Sequence, residues 1–183
     1  MTKTAFDQLK FPIGPFICPK QFSTAQTQAW IETIRAFPKK VKALTDHLTA
    51  TELNWCYRPQ GWTIKQVVHH CADSHMNSLI RFKLALTEDT PSIRPYYEDR
   101  WAELPDSTTN DLSTSLLLLE GLHAKWTLLL KSLNANELKK EFVHPEHGQR
   151  FSINENIGIY AWHCAHHTAH IEQALKAKGA YND

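Results

Sequence analysis

Two stretches of this chain open in the same way. Thr63 with Gln66, and Ser152 with Glu155, have the spacing of a capping box, in which a hydroxyl and a side chain three residues on satisfy the first amides of a helix. Each is followed by a long apolar pattern of helical period, from Thr63 to about Glu88 and from Ser152 to about Gly179. Two further segments share that period. One covers about Ser23 to His47, with Trp30, Ile31, Ile34 and Phe37 on one face and Pro38 expected to bend or interrupt it. The other covers about Leu112 to Leu133, with Leu119, Leu122, Trp126 and Leu130 at helical spacing. No convincing alternating strand is visible. Four long amphipathic helices must bury their stripes against one another, so the expectation is an all-α four-helix bundle.

The connections refine this. Residues 1–22 contain Pro12, Pro15 and Pro19 and no helical period, and read as an extended arm lying on one domain formed by residues 1–183. The stretch between the second and third helices, about Thr87 to Asp111, is long for a bundle and free of obvious secondary structure. Such loops are often functional, and its Arg94, Tyr96, Tyr97 and Trp101 are placed to line the mouth of a pocket. A short echo, LTATEL at 48–53 and LNANEL at 133–138, precedes each capping box and points to two helical hairpins that bring the second and fourth helices face to face.

The last helix carries the chemistry. WHCAHHTAHIE places His163, His166, His167 and His170 within eight residues. Residues i and i+4 share a helix face, so His163 and His167 can grip one ion from a rigid backbone. At about 100° per residue, Ile153, Ile157, Tyr160, Cys164, Ile171 and Leu175 form the apolar stripe. His163, His167 and His170 run along its flank, and His166 lies about 60° round from His163, toward solvent. A third ligand has to come from another helix, and the second offers His69, His70 and His75. Ile64, Val68, Cys71, His75, Leu79 and Phe82 make its stripe, with His69 and His70 on opposite sides. His70 shares its side with Ser74, Asn77 and Arg81, which favours it over His69 and His75 without deciding among them. Three histidines and one open position is the donor set of catalytic zinc. The glutamate that follows the first histidine in zinc peptidases is absent, since Cys164 stands there, so a peptidase of that type is not expected.

Bulk properties exclude other classes. The net charge is +1, which gives no electrostatic case for nucleic acid or an anionic membrane as partner. Cys18, Cys56, Cys71 and Cys164 form no CxxC pair, so neither a zinc ribbon nor a redox dithiol is indicated. The N-terminus lacks the apolar region of a signal peptide, and no segment is apolar for long enough to span a bilayer. Together these point to the cytoplasm.

Residues 61–95 and 157–171 closely resemble the YfiT-type proteins of the DinB-like superfamily, as do FPIGPF at 11–16, YRPQGWT at 57–63 and LHAKWTLLL at 122–130. The resemblance runs in order through nearly the whole chain. It implies an up-down-down-up bundle, a homodimer, one divalent ion (zinc or nickel) per chain, and the activity of a metal-dependent hydrolase on a small-molecule substrate. The ligands it implies are His70, His163 and His167. Ala165, where the family often has histidine, is not one of the three. On this reading metal-bound water attacks the substrate and no protein general base is assigned. Asp73, Asn77, Arg81, Arg94 and His170 are candidates for supporting the ligands or contacting substrate. Some relatives resemble S-transferases that join bacillithiol to electrophiles, which makes a low-molecular-weight thiol the alternative co-substrate. A non-catalytic metal-binding bundle is the third possibility, and a fourth protein ligand would mark it.

Overall fold

The computed structural model describes residues 3–146 and 148–182, so residues 1 and 2 of the arm, His147 and Asp183 lie outside the described residues. Helices α1 (Lys3–Lys10), α2 (Thr24–Thr45), α3 (Ala50–Leu53), α4 (Ile64–Thr87), α5 (Glu98–Trp101), α6 (Pro105–Thr108) and α7 (Ser113–Ser132) are followed by strands β1 (Glu141–His144) and β2 (Gln149–Ser152) and by helix α8 (Ile153–Ala177). The long helices start where the capping residues stand. Thr63 and Gln66 make both bonds of the box at α4, and the Ser152 hydroxyl accepts from the Glu155 amide at α8. Lys178 and Gly179, both at positive φ, stop α8. Helix α2 runs unbroken through Pro38, because its buried face of Ile31, Ile34, Phe37 and Val41 holds both halves on the core.

The four long helices form a bundle. Helix α2 packs on α7 and α8, and α4 packs on the same two, so the first and second long helices lie across one diagonal and the third and fourth across the other. The expected hairpins are therefore replaced by a crossed arrangement, while α4 and α8 face each other as anticipated. The two echoed segments do build the same local device. Thr49 and Glu52 exchange capping bonds, and so do Asn134 and Glu137.

Three features depart from the sequence reading. The arm is not extended throughout, since its first turns form α1. The long connection holds α5 and α6. A two-stranded antiparallel hairpin, with Phe142 opposite Phe151, leads into α8. The strands are four residues long, too short to show a period, and they stand because Phe142 is buried and Ile93 and Pro91 bond to the main chain of Val143. That pairing ties the long loop to the bundle. The arm crosses α8, with Phe16 and Phe22 edge-on to Trp30 and the Trp162 indole donating to the Gly14 carbonyl at 2.9 Å. Among the described residues no helix is long and apolar enough to cross a membrane.

Candidate metal centre

Helix α4 directs His70, and α8 directs His163 and His167, to one point at the floor of a cavity of about 580 Å³. The His163 Nε2 lies 3.1 Å from the His167 Nε2 and 3.4 Å from the His70 Nε2, and the three ligand atoms lie within 4.8 Å of one another. Nitrogens bound tetrahedrally at about 2.0–2.1 Å from one ion sit about 3.3 Å apart, so this spacing fits a metal. Among the described residues no fourth protein side chain and no carboxylate joins the group. A second group, Cys71, His75 and His163, shares one histidine. It is the poorer donor set, because burial pushes the Cys71 thiol far up and both nitrogens of His75 are already in hydrogen bonds.

The environment favours neutral imidazoles, the form that binds metal. Burial and the neighbouring His166 hold His70 down at about 4. Burial, followed by the other histidines, holds His163 and His167 well below the usual range. Aromatic rings wall the site, with Trp62 against His70 at 4.6 Å and Tyr160 against His163 at 5.3 Å.

Each α8 histidine of the group leans on a further histidine. The His163 Nδ1 lies 2.9 Å from the His75 Nε2, the His75 Nδ1 lies 2.7 Å from the His123 Nε2, and the His123 Nδ1 lies 2.6 Å from the Ile34 carbonyl. On the other side the His167 Nδ1 lies 3.4 Å from the His170 Nδ1, and the His170 Nε2 donates to the Lys10 carbonyl at 3.1 Å. His170 also stacks on Tyr57, with ring centres 3.8 Å apart. It is thus engaged outside the group of three.

The remaining candidates separate. Arg81 lines the cavity, as do Tyr96, Glu98 and Asp99 from the long connection. Arg94 is exposed and is not among the lining residues, and the same is true of Tyr97, whose ring carries Arg100 at 4.4 Å. Asn77 donates to the Asp73 carbonyl and also does not line the cavity. Asp73 lies instead in a small depression with Asp106, where burial and that neighbour raise its carboxyl to about 6. His166 does not face solvent. It is buried, stacked on Trp162 at 4.4 Å and covered by Phe11 of the arm. His69 bonds Ser115 and the Thr109 carbonyl, away from the site. Sequence reasoning passed over His123. Its position between Leu119 and Trp126 on the buried stripe of α7 was the available signal, since a polar ring there needs partners.

Residues 25–171 match the sequence profile of the DinB superfamily. The chain belongs to the DinB superfamily. The "putative metal-dependent hydrolase YfiT" of Bacillus subtilis (strain 168) is 46% identical over 171 residues, 93% of this chain and 96% of that one. A "putative metal-dependent hydrolase" of Bacillus cereus (strain 03BB102) is 46% identical over 170 residues, 93% of this chain and 97% of its own. The solved structure of Bacillus subtilis YfiT, described as a probable metal-dependent hydrolase with an unusual four-helix bundle topology, superposes with a TM-score of 0.91 at 45% identity, covering 94% of this chain and 98% of that one. This DinB-superfamily chain therefore has the expected four-helix bundle.

Proposed function

We propose that this chain is a metal-dependent hydrolase of small molecules, in which His70, His163 and His167 hold one zinc or nickel ion. The observation that carries the reading is the convergence of three neutral Nε2 atoms on the floor of a cavity, with no fourth protein ligand among the described residues. A divalent ion bound there would keep its full charge, acidify a water or thiol in its open position and polarise a substrate oxygen. The chain's own groups supply the rest. The Nε atoms of Arg58 and Arg81 are buried without hydrogen-bond partners among the described residues, which leaves two donors for a carbonyl or anionic oxygen of the substrate. Tyr160 and Ser74 share a hydrogen bond of 3.3 Å on the wall and offer hydroxyls for orientation. Glu98 and Asp99 stand at the exposed rim, where a released proton can reach water.

Thiol transfer is the second reading. It is favoured by the lack of a carboxylate beside the three nitrogens, because a thiol that has lost its proton to the site needs no further base. A purely structural ion is disfavoured, since structural zinc is four-coordinate with protein ligands and His170 is committed to the arm. A homodimer would cover Leu117 and Leu128, which are 72% and 76% exposed on α7. Buried Cys71 and Cys164 are compatible with a reducing cytoplasm.

The test is to give the zinc- or nickel-loaded protein a panel of esters, amides and electrophiles, with and without a small thiol such as bacillithiol. Turnover without thiol supports hydrolysis, and adduct formation only with thiol supports transfer. His167→Ala should abolish either. Full metal content and activity in that variant would show the site to be wrong.

A further inference from the structure

The proline inside α2 stands at an informative place. In an α-helix the amide of residue 38 would bond the carbonyl of residue 34, but proline has no N–H, and its ring pushes that carbonyl off the helix axis. The carbonyl so freed is that of Ile34, and it is this carbonyl that the His123 Nδ1 approaches at 2.6 Å, in the buried interface between α2 and α7. A carbonyl can only accept, so the proton of His123 must sit on Nδ1. A neutral imidazole has one N–H and one lone pair, which leaves the His123 Nε2 as an acceptor. The His75 Nδ1, 2.7 Å away, must then donate, and the His75 Nε2 must accept. The His163 Nδ1, 2.9 Å from it, must donate in turn. The Nε2 of His163, the atom that faces His70 and His167, is thereby left as a bare lone pair.

We propose that Pro38, through the Ile34 carbonyl it releases, and the relay His123–His75 lock His163 in the Nδ1–H tautomer before any ion arrives. His75 and His123 are positioning residues: both are buried in the core and neither lines the cavity. The lock matters because a free imidazole favours neither nitrogen strongly, and an Nε2–H at His163 would point a proton at the ion's position. The other α8 ligand has a separate lock. His170 donates to the Lys10 carbonyl, the last of α1, so its Nδ1 accepts from the Nδ1 of His167. The two relays share no residue, which provides an internal control. The role assigned to the relay rests on the metal reading above, whereas the tautomer itself is a property of the metal-free protein and can be measured without it.

The experiment is two-bond ¹⁵N–¹H correlation spectroscopy of the metal-free, ¹⁵N-labelled full chain, together with zinc affinity by competition with a chromophoric chelator. The parent should show His163, His75 and His123 as Nδ1–H tautomers. In His123→Leu, His163 should become a mixture with Nε2–H while His167 stays unchanged, and zinc affinity should fall about 10- to 100-fold. His123→Gln, whose amide can accept from His75 and donate to Ile34, should restore both. Pro38→Ala returns an amide to compete for the Ile34 carbonyl. It should shift His163 in the same direction even though alanine is the better helix former. A His123→Leu protein with the parent tautomer at His163 overturns the lock, and a Pro38→Ala protein with parent tautomer and parent zinc affinity overturns the role of the proline. If His123→Leu does not fold, the parent spectrum decides, since an Nε2–H tautomer at His163 there overturns the lock. Parent tautomers as described in a protein that binds no zinc would sink the metal reading and leave the lock standing.

Discussion

Acidifying the metal-free protein should cost it much of its stability between pH 6.5 and 5, and the buried histidines set that window. Burial holds His70 and His123 at about 4 and His170 at about 3, against an ordinary value of 6.5. The sign follows from proton counting. Between the folded and unfolded values the unfolded chain binds more protons, so stability rises with pH there and is lost as pH falls below 6.5. At pH 5.5 each of these groups is almost fully charged when unfolded on a logarithmic scale and still neutral when folded, which costs about 1.4 kcal/mol apiece at 1.36 kcal/mol per pKa unit. Three of them give about 4 kcal/mol, a large share of the roughly 5–15 kcal/mol that holds a domain together. His75, His163 and His167 act in the same direction. Asp73, raised to about 6, opposes them, but it is half-buried and solvent screens its share. The assay is urea unfolding of chelator-treated protein at pH 7.5 and 5.5, followed by circular dichroism. A loss of less than about 1 kcal/mol would refute the reasoning, because it would mean that the histidines charge in the folded state or find counter-ions.

Other outcomes can be checked with the same preparation. Zinc at about 100 times its Kd should raise stability by about 2.7 kcal/mol through mass action, and His167→Ala should remove most of that gain in a thermal-shift titration. Gly158→Leu should destabilise by about 1–3 kcal/mol, since even a Cβ at Gly158 would meet Phe16 and Trp30 at 2.9 Å. Leucine is the better helix former, so an unchanged or higher melting temperature would show that the arm is not clamped there. Thr63→Ala should cost about 1 kcal/mol in urea unfolding by removing the hydroxyl that caps α4, and a neutral result would mean that water replaces the cap.

The long helices were legible because helix formation is written locally. Capping at Thr63 and Ser152 and the 3.6-residue period of Ile31, Ile34, Phe37 and Val41 each depend on residues a turn apart. The β-hairpin and α1 were not legible. Phe142 finds its place only against the core, and α1 ends where the Lys10 carbonyl meets His170, 160 positions away. His166 illustrates the same limit. Helical geometry turns it off the apolar stripe, but the arm folds over it and buries it under Phe11.

The sequence by itself determined that helices would form, which faces they would bury, and that His163 and His167 would stand one turn apart, because these follow from backbone geometry within a single segment. Only the tertiary structure decided which helices became neighbours, and with that which histidine of α4 meets the α8 pair, His70 at 3.4 Å while His75 turns to His123. Pro38 joins the two levels. Its local effect is only to leave one carbonyl unbonded, and the crossed packing of α7 on α2 brings His123 to that carbonyl. A hydrogen-bonding group left over by local structure finds its partner only when the chain folds back on itself.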